Sequence, residues 1–220
     1  MFRSITPRLA VTLVLLCGCA GSESAHSDTS ASAAGGVTYA YDRVPLDTTR
    51  RAGAVIDSVF PMPEMLRRFR AGLPTLTALD GGATSRPELA QQFVTALAAR
   101  DTRTLGRLTL SRAEFAWIYF PNSPDALMPN GLSPQLRWTQ ITLGSEKGIS
   151  RALDRIGGGA LTLAALDCPN PPVTTGAMAL HDACTVALRR ADGTMFRGRL
   201  FGPIIESNGR FKFVGFSNDM

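Results

Sequence analysis

The chain has 220 residues and a mass of 23.5 kDa, enough for one ordinary domain with tails or for two small domains at most. Hydrophobic residues make up 45% and charged residues 19%, which excludes a wholly disordered chain, and a mean hydropathy of +0.05 excludes a protein that crosses a membrane many times. The formal net charge is +5, but Arg3 and Arg8 lie in a segment that we expect to be removed, which leaves 21 basic against 18 acidic residues. Nucleic-acid binding therefore loses its main electrostatic support.

The N-terminus has the order of an export signal. Met1 to Arg8 is short and basic, and an apolar run of eight residues follows from Leu9 to Leu16, far short of the ~20 that a spanning helix needs. The run ends in Leu16-Cys17-Gly18-Cys19, which resembles the lipobox of bacterial lipoproteins. The resemblance implies a signal peptide over residues 1–18 and fatty acyl chains, palmitate among them, on Cys19. The alternative is ordinary signal cleavage nearby, with Cys19 as an incidental thiol.

Lipid on Cys19 would make the membrane the first partner of the mature chain. Several acyl chains hold a protein on a membrane without any spanning helix, because each buried methylene contributes about 0.8 kcal/mol. Ala20, rather than Asp, follows the cysteine. In enterobacterial lipoproteins this favours the outer membrane, so we expect the protein on the periplasmic face of the outer membrane rather than on the inner membrane. Residues 19–36 are rich in Ser, Ala and Gly and are expected to be a flexible tether.

Residues 37–82 are expected to form an extended and helical N-terminal segment before the main domain, which we assign to residues 83–220. Apolar residues recur at three- and four-residue spacing between Met62 and Arg70, which predicts an amphipathic helix. Its arginine-bearing face lies in water while the apolar face packs on the domain, or it rests on anionic lipid near the anchor.

Explicit start signals predict a series of helices at the beginning of the main domain. Ser85 to Glu88 and Ser111 to Glu114 each have the serine and glutamate spacing of a capping box. Ser133-Pro134 places a cap residue before a proline at the first helical position and begins a longer helix. Gly144 and Gly148 are candidate interruptions of that helix.

After the triple glycine at 157–159 the pattern changes to strands. Ala160–Asp167 is a short apolar run that predicts a buried strand. Gly-containing turns then separate three antiparallel strands, the middle one bent at Gly202-Pro203. These strands are Cys184–Arg190, about Thr194 to Ser207, and Arg210–Phe216. The sequence predicts an α+β fold in which N-terminal helices pack on a curved C-terminal antiparallel sheet.

This order resembles the SnoaL-like, or nuclear transport factor two-like, cone fold over about residues 86–216. Domains of that kind open with the pattern seen in Phe93-Val94-Thr95-Ala96-Leu97, continue through a polar break to a second short helix, and close with a curved antiparallel sheet. The helical insert from Ser111 to Ile156 is longer than the pattern expects. The resemblance implies a cone with one concave pocket. Family members include enzymes, binding modules and adaptors, so the fold implies no single activity.

Cys168 and Cys184 are the two cysteines that remain when Cys17 is discarded and Cys19 is acylated. An even pair in an exported chain predicts a disulfide, which would close a loop of 15 residues. Loop-closure entropy gives such a bridge roughly 3 kcal/mol of stabilisation. A redox-active pair is the alternative, although the two cysteines of such pairs usually lie much closer in sequence.

No established catalytic or metal motif is recognisable in the sequence. His181 and Asp182 are adjacent and no nucleophile accompanies them, so we expect His181 to be a surface or turn residue. One histidine and a disulfide-bonded Cys184 do not make a metal site, and we expect neither a metal nor a cofactor.

The candidate pocket residues come from the sheet and the helical insert. Arg197 and Arg199 share one face of the predicted middle strand and would hold a carboxylate or phosphate if that face points inward, and are solvated if it points outward. Trp117, Tyr119 and Trp138 would line the same cavity or pack in the core.

Three functions remain open. The first is a lipid-anchored, non-enzymatic envelope module that binds a small ligand or an envelope protein in or around the cone. The second is a SnoaL-like hydrolase or isomerase that uses a buried carboxylate such as Asp167 or Glu114. The third is a structural envelope protein that acts through surface contacts, which a cone filled by its own side chains would favour.

Overall fold

The computed structural model of the chain describes residues 60–220. The expected signal peptide over residues 1–18, the acylated Cys19, the tether over residues 19–36 and the first part of segment 37–82 lie outside the described residues. Helices come first along the chain and antiparallel strands last, which confirms the predicted α+β class.

Six α-helices lie in the described part of the chain, all of them before the first strand. They are α1 (Met62–Arg70), α2 (Arg86–Ala98), α3 (Thr102–Arg107), α4 (Arg112–Glu114), α5 (Pro124–Leu127) and α6 (Pro134–Ile156). After α4 the chain continues without a break into a π-helical turn, Phe115–Tyr119, and a 3₁₀ turn, Phe120–Asn122.

The predicted start signals work as helix caps. The hydroxyl of Ser85 accepts from the Glu88 amide at 3.2 Å, and Ser111 and Glu114 form a complete capping box. At the start of α6, Ser133 accepts from the amide of the third helical residue at 3.3 Å. One detail differs, because the Glu88 carboxylate reaches back to the amide of Thr84, 2.7 Å away, rather than to that of Ser85.

α6 runs unbroken through both of its internal glycines. Neither Gly144 nor Gly148 interrupts it, so that expectation was wrong. Gly148 instead allows the C-terminal segment to lie directly on the helix, because a Cβ there would overlap the carbonyl oxygen of Phe216. The contact is fixed by two hydrogen bonds, from the Phe216 amide to Ser145 at 3.0 Å and from the Asn218 side chain to the Gly148 carbonyl at 2.9 Å.

Seven strands lie in the described residues and form two antiparallel sheets. In chain order they are β1 (Leu161–Asp167), β2 (Val173–Thr175), β3 (Met178–His181), β4 (Thr185–Arg190), β5 (Met195–Gly198), β6 (Ile204–Ser207) and β7 (Arg210–Phe213). The strand orders are β1-β4-β5 and β2-β3-β6-β7. β1 is an edge strand of alternating exposure rather than the buried strand that its composition predicted.

The two sheets are two halves of one interrupted meander. β4 pairs with β1 and β5, while β3 pairs with β2 and β6, and β6 also pairs with β7. Along the chain, β1 and β2 therefore make up the first long strand of the meander, β3 and β4 the second, and β5 and β6 the third. The predicted single strand from Thr194 to Ser207 is therefore wrong. It is two strands in different sheets, separated by residues 199–203, where Gly202 donates to the Gly215 carbonyl at 2.9 Å. The hairpin of β2 and β3 was missed altogether.

Both sheets cover the same apolar core. Leu163, Val186 and Leu188 of one sheet and Ile204 and Phe213 of the other belong to a single cluster with α2 and the end of α6. Rings fill its centre, since the ring centroid of Phe93 lies 5.4–5.6 Å from those of Phe201, Phe213 and Phe216. The interior face of the meander is thus packed with the domain's own side chains.

The long helical insert covers the other face of the four-stranded sheet. Neighbouring strand residues point to opposite faces, so Ile205 lies in a second cluster with Leu110 and Ile118 while Ile204 lies in the main core. A third cluster, with Phe69 and Phe115 at its centre, attaches α1 and α6 to the π-helical turn.

Cys168 and Cys184 form a disulfide, as predicted. They extend by one position the pairing that ends at Asp167 and Thr185, at the first interruption of the meander. The bond joins the chain at the point where β1 and β4 stop pairing. Over residues 60–220, no helix combines the length and apolar character that a bilayer crossing requires.

Candidate functional site

A cleft opens along the outer edge of β7, between two segments that bond to that edge. Ala83 exchanges two backbone hydrogen bonds with Phe211, of 3.1 and 2.9 Å, and the Leu108–Leu110 segment makes two with Phe213, of 2.9 and 3.0 Å. Between these attachments lies a cavity of about 620 Å³. It is lined by Asp80, Gly81, Gly82, Gln92, Arg103, Thr104, Gly106, Arg107, Leu108, Thr109, Ser111 and Lys212. This volume is in the range of small-molecule sites. We call it the Arg103–Arg107 cleft.

Lys212 lines the floor of this cleft and forms a buried ion pair with Glu114, which does not itself line the cleft. The Lys212 ammonium lies 2.8 Å and 3.0 Å from the two Glu114 carboxylate oxygens, and the carboxylate is fully buried. Glu114 also accepts from the backbone amides of Ser111 at 2.6 Å and of Asp80 at 2.8 Å. The pair therefore joins three separate segments, and its two charges compensate each other where water does not reach.

Arg103 and Arg107 line one wall of the cleft. They lie four residues apart on α3, so their side chains leave the same face of the helix, and both are exposed. Arg107 donates to the hydroxyl of Thr104 at 2.8 Å. In the part of the chain that the structure describes, neither arginine forms an ion pair with a carboxylate. Asp80 is the one acidic residue that lines the cleft.

The carboxylates suggested for an enzymatic role occupy different environments. Asp167 is exposed at the end of β1, so it does not provide the buried carboxylate that this role requires. Glu114 is buried, but three donor groups, the Lys212 ammonium and two backbone amides, already satisfy its oxygens through four contacts. A carboxylate held in this way is a structural anchor and is poorly placed to move a proton on a substrate.

The two arginines expected on the sheet do not meet in a pocket. Arg197 is exposed on β5, opposite Ala187. Arg199 lies beyond the end of that strand and donates to the Asp219 carboxylate at 2.6 Å. The two arginines do not share one strand face as predicted, because the strand ends at Gly198. Beyond it the chain changes direction, so that Phe201 is fully buried while Arg197 faces solvent.

The three aromatic candidates lie in the helical insert, away from those arginines. Tyr119 and Trp138 each pack on Phe115, with ring centroids 5.7 and 5.1 Å apart, and burial raises the pKa of the Tyr119 hydroxyl. Tyr119 also borders a smaller cavity of about 280 Å³. Arg70 stacks on the ring of Trp117 at 3.9 Å. These residues serve mainly as packing around Phe115.

The prediction that His181 is a surface or turn residue was wrong, because His181 is buried at the end of β3. Its Nε2 lies 3.0 Å from the carboxylate of Glu206 on the neighbouring strand β6. The sequence neighbour Asp182 instead accepts from the backbone amide of Ala183. The sequence missed this contact because it depends on the pairing of β3 with β6.

Among the described residues, no group of three or more His, Cys, Asp or Glu side chains is arranged to hold a metal ion. Sequence analysis did not identify the Arg103–Arg107 cleft, for which the four-residue spacing of the two arginines was the one available signal.

Comparisons with protein-family models, with curated proteins and with solved structures find no match to this chain.

Proposed function

We propose that this chain is an exported lipoprotein, anchored to the cell envelope through Cys19, whose α+β domain binds a small ligand or an envelope protein without catalysing a reaction. The N-terminal order of basic, apolar and Leu16-Cys17-Gly18-Cys19 residues supports the anchor. The Cys168–Cys184 disulfide supports an oxidising compartment outside the cytoplasm. Ala20, rather than Asp, after Cys19 supports the periplasmic face of the outer membrane over that of the inner membrane.

The packed interior of the meander favours a protein that acts through its outer surface, and the observation that carries a binding role there is the Arg103–Arg107 cleft. Phe93, Phe201 and Phe213 are each fully buried and pack against one another in the core that both halves of the meander cover. Binding therefore belongs on the outer surface, and the Arg103–Arg107 cleft is the candidate that combines volume with unpaired charge among the described residues.

The domain itself is proposed to be of the nuclear transport factor two-like kind. Three features support this: helices that precede the sheet, a meander whose strands are interrupted at matching points, and a single core shared by both of its halves. In this proposal the insert from Ser111 to Ile156 is an addition that covers the outer face of the four-stranded sheet.

The enzymatic alternative receives less support from the same contacts. It requires a buried carboxylate that faces a cavity and is able to change its protonation. Asp167 is exposed and Glu114 is held by Lys212 and two backbone amides. The non-enzymatic role is therefore the one that we propose.

The anchor is tested by expressing the full chain in a bacterium fed with an alkyne analogue of palmitate. Cys19→Ser should abolish incorporation of the label and release the protein from the membrane fraction. Cys17→Ser is the matched control, because it changes a cysteine two residues away and leaves the expected acylation site intact. Label that persists in Cys19→Ser, or that is lost equally in both variants, would refute the anchor.

A further inference from the structure

We infer that the Arg103–Arg107 cleft binds the phosphate group of a small phosphorylated molecule. The inference deepens the proposed function and rests on its claim that the domain binds ligands at its outer surface. It does not depend on the lipid anchor, since the cleft lies wholly within residues 80–212.

In the described part of the chain the two arginines of α3 form no ion pair, although Arg107 lies near the Asp101 carboxylate and is linked to it through the Thr104 hydroxyl. Two guanidinium groups four residues apart repel each other across one helical turn. No carboxylate among the described residues pairs with either Arg103 or Arg107. A bound anion would relieve this repulsion.

The two guanidinium groups match a phosphate in hydrogen-bonding geometry and charge. Guanidinium groups donate two parallel hydrogen bonds to phosphate or carboxylate oxygens. A phosphate monoester carries up to two negative charges on one compact group at neutral pH, whereas a carboxylate carries one. Two arginines on neighbouring turns of one helix therefore suit a single phosphate better than a single carboxylate.

The cleft also has room and uncharged hydrogen-bonding groups for the rest of a ligand. A volume of about 620 Å³ leaves room beside a phosphate for the rest of a small molecule. Gln92, Thr109 and the backbone of Gly81 and Gly82 line that space. These groups offer hydrogen bonds to a polar ligand body, beside a lining whose exposed surface is more apolar than polar.

Two other charged groups set the polarity of the cleft. Lys212 is already paired with Glu114, so it contributes little net charge to a ligand. Asp80 lines the cleft and makes no side-chain hydrogen bond within the described residues, so its carboxylate opposes an anion directly. Removing the charge of Asp80 should therefore strengthen phosphate binding, while removing the arginines should weaken it.

The test uses isothermal titration calorimetry on the full chain carrying Cys19→Ser, so that lipidation does not interfere. The probes are glucose 6-phosphate, glucose and succinate. In this background Arg103→Ala/Arg107→Ala should weaken glucose 6-phosphate binding by about tenfold or more, because charge-assisted hydrogen bonds to both arginines are lost. Asp80→Asn should tighten it several-fold. Arg155→Ala/Arg197→Ala is the matched control, since it removes the same charge from two exposed arginines elsewhere on the surface.

Binding of glucose 6-phosphate but not glucose, with opposite effects of the arginine and Asp80 variants, would support the inference. Equal losses in the cleft variant and the control variant, or tighter binding of succinate than of the phosphate, would overturn it. Vesicles of phosphatidylglycerol separate a free molecule from a membrane headgroup. Vesicle binding that needs Arg103 and Arg107, with no binding of glucose 6-phosphate, would also overturn the inference while leaving the proposed surface-binding role intact.

Discussion

The buried pair of Glu114 and Lys212 should behave as one unit in folding. Lys212→Met replaces the ammonium with an apolar side chain of similar length and leaves the Glu114 carboxylate buried without its countercharge. Glu114→Gln leaves the buried ammonium unpaired but keeps an oxygen that accepts from Ser111 or Asp80. Each single change should cost about 3–5 kcal/mol of the free energy of unfolding, the usual cost of breaking a buried ion pair from one side.

The magnitude follows from burial and from the number of bonds. The Glu114 side chain is 0% exposed and that of Lys212 is 6% exposed, so water cannot replace the missing partner. When both residues are changed together, no uncompensated charge remains inside and the Gln side chain still reaches the backbone amides. The double variant should therefore lose at least about 2 kcal/mol less than the sum of the two single variants.

Urea unfolding followed by the fluorescence of Trp117 and Trp138 gives all three free energies. Glu88→Gln is the control, because Glu88 is the corresponding glutamate at the start of α2 but bonds the exposed Thr84 amide without a buried countercharge, so its loss should cost less than about 1 kcal/mol. Single losses below about 1 kcal/mol, or losses that simply add in the double variant, would show that the pair does not hold the floor of the cleft.

Two further predictions concern the places where the chain crosses itself. Gly148→Ala should destabilise the domain by about 2 kcal/mol or more, since its Cβ would lie 2.7 Å from the Phe216 carbonyl carbon and overlap the oxygen. Gly144→Ala is the control: its nearest neighbour, Ser217, is 3.8 Å away, so this change should be neutral or stabilise α6 by about 0.5–1 kcal/mol. Equal thermal unfolding midpoints of the two variants would contradict this prediction. Changing Cys168 and Cys184 together to Ser should lower the unfolding free energy by roughly 3 kcal/mol, and a urea midpoint equal to that of the oxidised parent would argue against a stabilising bridge.

The features that sequence reasoning predicted correctly depend on local chemistry. Ser85, Ser111 and Ser133 cap helices because a serine oxygen reaches an amide only three residues ahead. Asn208 and Gly209 form the predicted turn because both adopt positive φ angles, of 50° and 69°, which these two residue types tolerate best. The disulfide followed from counting cysteines.

The features that it missed depend on distant contacts. The break at residues 199–203 is specified by pairing with residues 214 and 215, where Val214 donates to the Pro203 carbonyl at 2.9 Å, rather than by the local sequence. The hairpin of β2 and β3 consists of strands of three and four residues, too short for a clear alternation. The ion pair beside the cleft joins Glu114 to Lys212, which are 98 residues apart, and no local sequence pattern predicts that contact.

The most direct test of the proposed envelope role is the intact mass of the chain isolated from bacterial membranes without reducing agent. We expect a chain that begins at Cys19, carries acyl chains on it, and is two hydrogens lighter than its reduced form because Cys168 and Cys184 are joined. An unmodified chain that still contains residues 1–18, with both cysteines open to alkylation, would contradict it.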